Sequence, residues 1–549
     1  TVLILLVMSM LVFASNIQQV KASGTICIRA DGSIYPPTAP ISTVDNVTYT
    51  FTDNIYDEIV VERDNVVVDG ASYTLQGTGN GTGIALSYRS NVTIKSMEIK
   101  GFKFGICFVR SNHNSISGNN ITNNDFDGIL LIHTAKDNSI SGNIITNNGW
   151  GGINLWGSSD YNSISRNIIT NNNNYGILLE VHSSYNSIYD NTVTNNGYGI
   201  LLDFSSKNTF RNNDVSNNKY NFGVYGHSIY HYIQDMDNSN TVNGKPVYYL
   251  VNRQDVAIPP DAGWFALTNC TRITARNLNL TNNSQGVLLA YTTESTITKS
   301  NITDNEYGMW VYNSSNNAIS ENTIADNEYG MKLEWFSNYN SICQNNITSN
   351  NNQGIWLQES SNNTISGNKI EGNNYVGIKL FGLADNNSID RNNIINHSVG
   401  IWLELSLNNI IYHNNFINNT NQVESIYSMN VWDDGYPSGG NYWDDYGGVD
   451  LYSGSYQNEI GSDGIGDTPY VIEENNRDNY PLIDPWVPLL GDLNCDGIVD
   501  VTDIYIVAGS FGLYLNHLDW NPTADINGDE TVDIVDVYLV AINFGKTHH

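Results

Sequence analysis

Apolar residues recur along this chain in short alternating stations, three per repeat, with asparagine and glycine between them. The phrase NSISGNIITNNGWGGINLW at 138–156 is one such repeat, and its variants return a dozen or so times. Aligned on it, a first column runs through Ile94, Ile116, Ile140, Ile164 and Ile188, and resumes at Ile273, Ile297, Ile319, Ile342, Ile365, Ile389 and Ile411. A second fills the frame N-x-[IV]-x-x-N with Ile121, Ile145, Ile169, Val193 and Val215, later with Ile324, Ile347, Ile370 and Ile394. A third follows a glycine, at Ile129, Ile153, Ile177 and Ile200, then Met309, Ile355, Ile378 and Ile401.

Each station alternates apolar and polar residues, the period of a strand with one buried face rather than of a helix. A leucine-rich repeat has a similar length, but its L-x-x-L-x-L frame and helical segment are missing. Three strands per turn describe a triangular coil, so the expected fold class is mainly β, a right-handed parallel β-helix solenoid. Its coils would stack about 4.8 Å apart, placing like residues over like. The asparagine columns Asn119, Asn143, Asn167, Asn191, Asn213 and Asn124, Asn148, Asn172, Asn196, Asn218 then read as corner residues. Asparagine tolerates left-handed backbone, and its amide can bond the coils above and below.

The pattern divides the chain. Residues 1–22 are apolar and end in a small-residue cleavage site, as a secretory signal does. Residues 23–62 are expected to cap the first coil, 63–420 to form the coils with an excursion near 225–262, and 421–484 to close the far end. Residues 485–490 read as a linker, and 491–549 follow other rules.

Composition narrows the partners. The 549 residues carry a formal net charge of −32, from 56 acidic against 24 basic side chains, which leaves no electrostatic footprint for nucleic acid and favours cations. Beyond the signal no stretch is long and apolar enough to span a bilayer, so the cleaved chain is expected outside the membrane, secreted or attached to a cell surface. The five cysteines, Cys27, Cys107, Cys270, Cys343 and Cys495, are odd in number and scattered, and suggest neither a disulfide framework nor a cysteine metal site.

In the last segment, GDLNCDGIVDVTD places oxygen donors at Asp492, Asn494, Asp496, the Ile498 carbonyl, Asp500 and Asp503. DINGDETVDIVD repeats them at Asp525, Asn527, Asp529, the Thr531 carbonyl, Asp533 and Asp536, with Glu530 where the first copy has the turn glycine Gly497. Such spacing wraps a hard cation in oxygen ligands. Two copies, each followed by an apolar helical segment, resemble the dockerin family over about 491–546. That resemblance implies two calcium ions, the second set altered by Glu530, in a small α-helical calcium-binding dockerin module that docks onto a cohesin domain of a scaffold or cell-surface protein. The coils, the segment NTVNGKPVYYLVN and the ending GYPSGGNYW with DGIGDTPY resemble NosD-type β-helix proteins of the carbohydrate-binding and sugar-hydrolase repeat class, especially archaeal surface and secreted members, over about 45–485. That class contains lyases, hydrolases, epimerases, adhesins and a copper-enzyme maturation factor, so the likeness speaks for fold more than chemistry.

Candidate chemistry lies on outward positions. In the second block the residue after each third-station apolar position reads Trp310, Lys332, Trp356, Lys379, Trp402, with Tyr312, Glu334, Gln358, Phe381 and Glu404 two places on. Tryptophans on alternate coils would stand about 9–10 Å apart, a spacing comparable to a disaccharide step, with carboxylates beside them for hydroxyls. The equivalent first-block column has Leu130, Leu178 and Leu201, while Asn154 and Trp156 are the outward residues of the quoted coil. Glu180 and Asp203 share one outward column on adjacent coils and are the candidates for an acid and nucleophile pair. No complete catalytic motif accompanies them: the NTD, DD and GHG set of polygalacturonases and the DPH motif of alginate epimerases are absent. A copper role would need clustered ligands, and His113, His133, His182, His227 and His231 share no column. The expectation is a secreted or surface β-helix protein that binds carbohydrate or serves surface assembly, docked to a cohesin partner. Its alternatives are a polysaccharide lyase or glycoside hydrolase, and a structural stalk or adhesin.

Overall fold

A computed structural model describes residues 24–487, 489–493, 498–514, 521 and 524–546. The signal reading at 1–22 and the calcium candidates Asn494 and Asp496 lie outside these residues. The chain forms two compact units, divided at Gly244/Lys245.

The first unit is a right-handed coil of three parallel sheets. One turn comprises Ser139–Ser141, Ile144–Thr146 and Gly151–Trp156, each strand pairing with its counterpart one turn on. The apolar columns stack in register: Ile116, Ile140, Ile164 and Ile188; Ile121, Ile145, Ile169 and Val193; Ile129, Ile153, Ile177 and Ile200. All are fully buried, so one turn alone would hold almost no core and the stack supplies it. Parallel pairing already begins at Ile26–Ile28, which bonds Ile59–Val61. The open edge is covered by two short antiparallel strands, Ile34–Tyr35 and Ile41–Ser42. Between 225 and 244 the chain makes one helical turn at Ile229–Tyr232, and Asp235–Met236 and Thr241–Val242 keep their places in the ladders.

The corners differ from the sequence expectation in one respect. The ladder asparagines are not the left-handed residues. Those are the positions just before them: Gly118, Gly142, Arg166, Asp190 and Asn212 in one column, and Asn123, Asn147, Asn171, Asn195 and Asn217 in the next, all with φ of 53–65°. The turn they make points the following asparagine inward, where it is buried. Asn143 is representative. Its amide donates to Asn167 Oδ1 at 3.0 Å and to the Ile116 carbonyl at 3.0 Å, while its Oδ1 accepts the backbone N–H of Asn119 at 3.0 Å. A third such column, Asn114, Asn138, Asn162, Asn186 and Asn208, occupies the remaining corner.

The second unit repeats the plan. Its first sheet runs from Lys245–Val251 through Trp264–Thr268 to Asn421–Ile426, and Ala257–Ile258 opens the second, so the segment read as an excursion also stays in the ladders here. At its far end Phe416, Trp443 and Tyr470 stack at 4.2 Å steps over the core. Two helices, Val501–Ser510 and Ile534–Asn543, follow, each opened by a reciprocal capping box, Asp500 with Asp503 and Asp533 with Asp536. They share a small core of Val499, Val507, Ala524, Val532 and Val540.

Asn143→Ala removes the acceptor of a buried backbone N–H, and an unsatisfied group of that kind costs about 1–3 kcal/mol. Hydrogen exchange should therefore accelerate in the coils around Asn119, Asn143 and Asn167. Asn147→Gly, at an exposed left-handed position, should leave exchange unchanged or slower. Equal exchange in both variants would remove the ladder from this role.

Candidate functional site

On the second unit Trp310, Lys332, Trp356, Lys379 and Trp402 are direct neighbours on five successive strands. Coils one strand apart leave no room for an indole on each to lie flat, and the lysines fill the intervals. Lys332 Nζ lies 4.3 Å from the Trp356 ring centre and 5.5 Å from that of Trp310; Lys379 Nζ lies 5.1 Å from Trp402 and 5.6 Å from Trp356.

The two ends of this column differ. Trp310, Tyr312, Lys332 and Glu334 are buried, Lys332 Nζ pairs with Glu334 Oε1 at 3.0 Å, and the Trp310 indole donates to Glu334 Oε2 at 3.2 Å. Burial holds the Lys332 ammonium below its ordinary pKa, against the pull of Glu334. Trp356, Lys379, Trp402, Gln358, Phe381 and Glu404 are partly exposed. Beside Lys379 the place of Glu334 is taken by Phe381, whose ring centre is 5.5 Å from Lys379 Nζ, and Lys379 has no carboxylate partner among the described residues. The Trp356 and Trp402 indole N–H groups lack acceptors.

On the first unit, Leu178 and Leu201 are buried, Leu130 is half-buried, and Glu180 and Asp203 are register partners, both partly exposed. Asn154, 7% exposed, donates from Nδ2 to Glu180 Oε1 at 3.2 Å. Asp127, which the column reading missed, is buried in the same group. It precedes Gly128 as Gly151 precedes Gly152, and a side chain at Gly151 would meet Asp127 Oδ1 at 2.7 Å. A carboxylate followed one coil later by a glycine in the same column was the available signal. Asp127 Oδ1 and Asn154 Oδ1 are buried, and the Asn154 side chain and the Gly151 backbone N–H bear on the Asp127 carboxyl. Burial, then the Glu180 charge, pushes Asp127 up to about 8; burial pushes Glu180 up to about 7 and Asp203 up to about 6.

Three histidines without a common column do come close. The His182 and His231 rings are 5.7 Å apart, and the His227 backbone N–H donates to His231 Nδ1 at 3.2 Å. The helical turn after the strand brings them back, which column arithmetic does not see. His113 and His133 are not among these contacts; His133 packs edge-on against Trp156.

In the helical segment the described residues of the two loops make equivalent contacts to their helices. Asp503 accepts the backbone N–H groups of Leu493 and Asp500, and Asp536 those of Ile526 and Asp533. Asp525 takes the N–H groups of Gly528, Asp529 and Glu530, Asn527 and Asp529 turn the loop, and Glu530 adopts φ 70° in place of a glycine. Asp492 is buried, Ile498 and Thr531 are exposed, and Asp500 and Asp533 cap the helices. The side-chain donors are all oxygens, which suits a hard cation. Among the described residues no three or more histidine, cysteine or acidic side chains are gathered tightly enough to hold a metal ion, and no helix is long and apolar enough to cross a membrane.

Residues 43–250 match the family described as "Periplasmic copper-binding protein (NosD)", and residues 263–419 and 335–461 match "Right handed beta helix region". No curated protein matches the chain. Among solved structures, an alginate lyase from Paenibacillus is 15% identical, over 44% of this chain and 87% of its own, with a TM-score of 0.27. The A-module of an Azotobacter vinelandii mannuronan C-5 epimerase is 12% identical, over 68% and 91%, with a TM-score of 0.23. A DFA-IIIase from Arthrobacter chlorophenolicus is 13% identical, over 64% and 83%, with a TM-score of 0.25.

The buried Lys332–Glu334 pair yields a direct test. Glu334→Gln leaves a buried ammonium without its counter-charge, and breaking such a pair costs roughly 3–5 kcal/mol. Hydrogen exchange in Tyr307–Tyr312 and Gln353–Gln358 should speed accordingly. The double change Lys332→Met with Glu334→Leu should restore it.

Proposed function

We propose that this parallel β-helix protein is a carbohydrate-binding component outside the cytoplasm, holding polysaccharide on the Trp356–Trp402 face and anchored by its C-terminal loop and helix pair. The observation that carries the reading is the half-open end of the tryptophan column. There, two partly exposed indoles flank a cation that has no carboxylate partner among the described residues, with the partly exposed Glu404 on the same strand as Trp402. Indole faces stack on the apolar faces of sugar rings, and spaced polar groups fix their hydroxyls. The matching family's description as periplasmic supports a location outside the cytoplasm.

Anchoring rests on the two equivalent loops. In this reading calcium is held by Asp492, Asn494, Asp496, Asp500 and Asp503 with the Ile498 carbonyl, and by Asp525, Asn527, Asp529, Asp533 and Asp536 with the Thr531 carbonyl. The partner is a cohesin domain, which the paired loop and helix arrangement resembles a module for. The buried Asp503 and Asp536 tie each loop to its own helix, so loading the loops would stiffen the face that docks.

Affinity electrophoresis through gels containing soluble polysaccharides tests the face. Truncating a central tryptophan at a recognition surface costs about 2 kcal/mol, so Trp356→Ala and Trp402→Ala should each lose retardation by about tenfold or more. Parent-like mobility of both variants on every glycan that retards the parent would end this reading. Calorimetric titration with calcium should count two ions, and Asp525→Ala should abolish the second. An absence of calcium binding would overturn the anchoring half.

A further inference from the structure

The first unit carries a different arrangement, on its long-stranded sheet. Tyr175, Tyr198 and Tyr220 form an aromatic column with ring centres 5.4 and 5.2 Å apart. Five residues along the same strands, Glu180 and Asp203 face the surface side by side. As register partners on adjacent parallel strands their backbones are about 4.8 Å apart, so the two side chains leave the sheet as neighbours, as a nucleophile and proton-donor pair requires. Asn154 reaches over from the preceding coil to hold Glu180. Its own Oδ1 is buried without a hydrogen bond beside the buried Asp127 carboxyl, which burial keeps protonated to about 8, so an acceptor and a donor stand together where a ligand's hydroxyl groups can bond both.

We propose that Glu180 and Asp203 are a proton donor and nucleophile acting on the glycosidic bond of a polysaccharide, with Asp127 and Asn154 as positioning residues. An Asp203 oxygen bonds the anomeric carbon as that carbon's bond to the departing sugar oxygen breaks, and the Glu180 proton moves onto that oxygen. Water then cleaves the glycosyl ester, giving its hydroxyl to the sugar carbon and its proton to Glu180, so the starting carboxylate and acid return. Anomeric configuration is retained. The protonation states agree: with Asp203 near about 6 and Glu180 near about 7, the ionised nucleophile and the protonated acid coexist between those values. The titratable groups bearing on Glu180 are Asp203 and Asp127, and Cys107 adjoins Asp127. This site is separate from the tryptophan face, and either reading can fail without the other.

The pair can be tested before the glycan is known. The epoxide 1,2-epoxy-3-(4-nitrophenoxy)propane is opened by a carboxylate when a neighbouring acid protonates its oxygen, so the full chain should gain one ester, on Asp203, found by peptide mapping. The labelling rate should rise with pH as Asp203 ionises and fall as Glu180 loses its proton. Glu180→Gln should slow it at least tenfold and remove the fall at high pH. Asn154→Ala removes a hydrogen bond that favours the Glu180 carboxylate, and should move that fall to higher pH, a change that altered packing alone would not produce. No ester on Asp203, or labelling no faster than at other surface carboxylates, overturns the pair. Xylan, curdlan, dextran and galactan are then assayed for new reducing ends. Release that Glu180→Gln abolishes supports the glycosidic assignment, and an esterified Asp203 with no release from any of them overturns it.

Discussion

The buried asparagine ladder is the interaction on which the remainder of this molecule depends. At each corner the chain must reverse direction over a few residues while its backbone groups remain inside, away from water. A left-handed residue makes the turn at a cost of about 1–2 kcal/mol when it is not glycine. The asparagine that follows offsets that cost with up to four buried hydrogen bonds, two given and two taken, as at Asn143. Because each amide needs its counterpart at one fixed height above it, the ladder sets the stacking distance and forbids slippage between coils. Inward isoleucines and outward side chains inherit that spacing.

Outward chemistry is constrained in consequence. A residue on one coil meets the equivalent residue on the next at strand spacing, so like charges and large rings are forced together unless the sequence alternates them. The second unit alternates, and its tryptophans and lysines interleave into a continuous column. The first unit does not: Glu180 stands next to Asp203, and the repulsion adds to desolvation in keeping Glu180 protonated to higher pH. The same lattice therefore generates a stabilised cationic stack on one unit and a polarised pair of carboxyls on the other.

How much of this could be read from the chain follows from the same geometry. Columns with a fixed period, such as Ile116 to Ile188 or Trp310 to Trp402, were legible because register converts spacing into contact. The assignment of the left-handed corner to asparagine was off by one residue, since tolerance of that conformation and inward amide bonding are separate requirements met by neighbours. Asp127 was missed because its partner Asn154 lies in another column, and contacts that cross columns depend on side-chain reach. The approach of His227 and His231 to His182 depends on a turn outside the period altogether.

A ladder must also end, and the chemistry of its last step differs from every other. Each column runs in one direction, every amide accepting from the coil before and donating to the coil after, so the final asparagines carry N–H groups that still need acceptors. Strand Asn476–Asp478 supplies them for two columns, and Gln422 Oε1 takes the Asn419 amide of the third. Asn476 Oδ1 accepts from the Asn430 backbone at 2.9 Å and from the Trp432 indole at 3.1 Å. Asp478 accepts from Asn441 at 2.7 Å, the Trp443 indole at 2.9 Å and Tyr480 at 3.0 Å. Here three donors converge on one side chain, two on Oδ2 and one on Oδ1, so an asparagine would set its own N–H group against at least one of them. An aspartate, which only accepts when ionised, suits these donors; burial pushes the Asp478 carboxyl up to about 7, against the pull of the same hydrogen bonds. Asn476 can end its column as an asparagine because its amide finds acceptors in the Ser428 carbonyl and Glu473, whereas Asp478 ends its column as a pure acceptor when ionised.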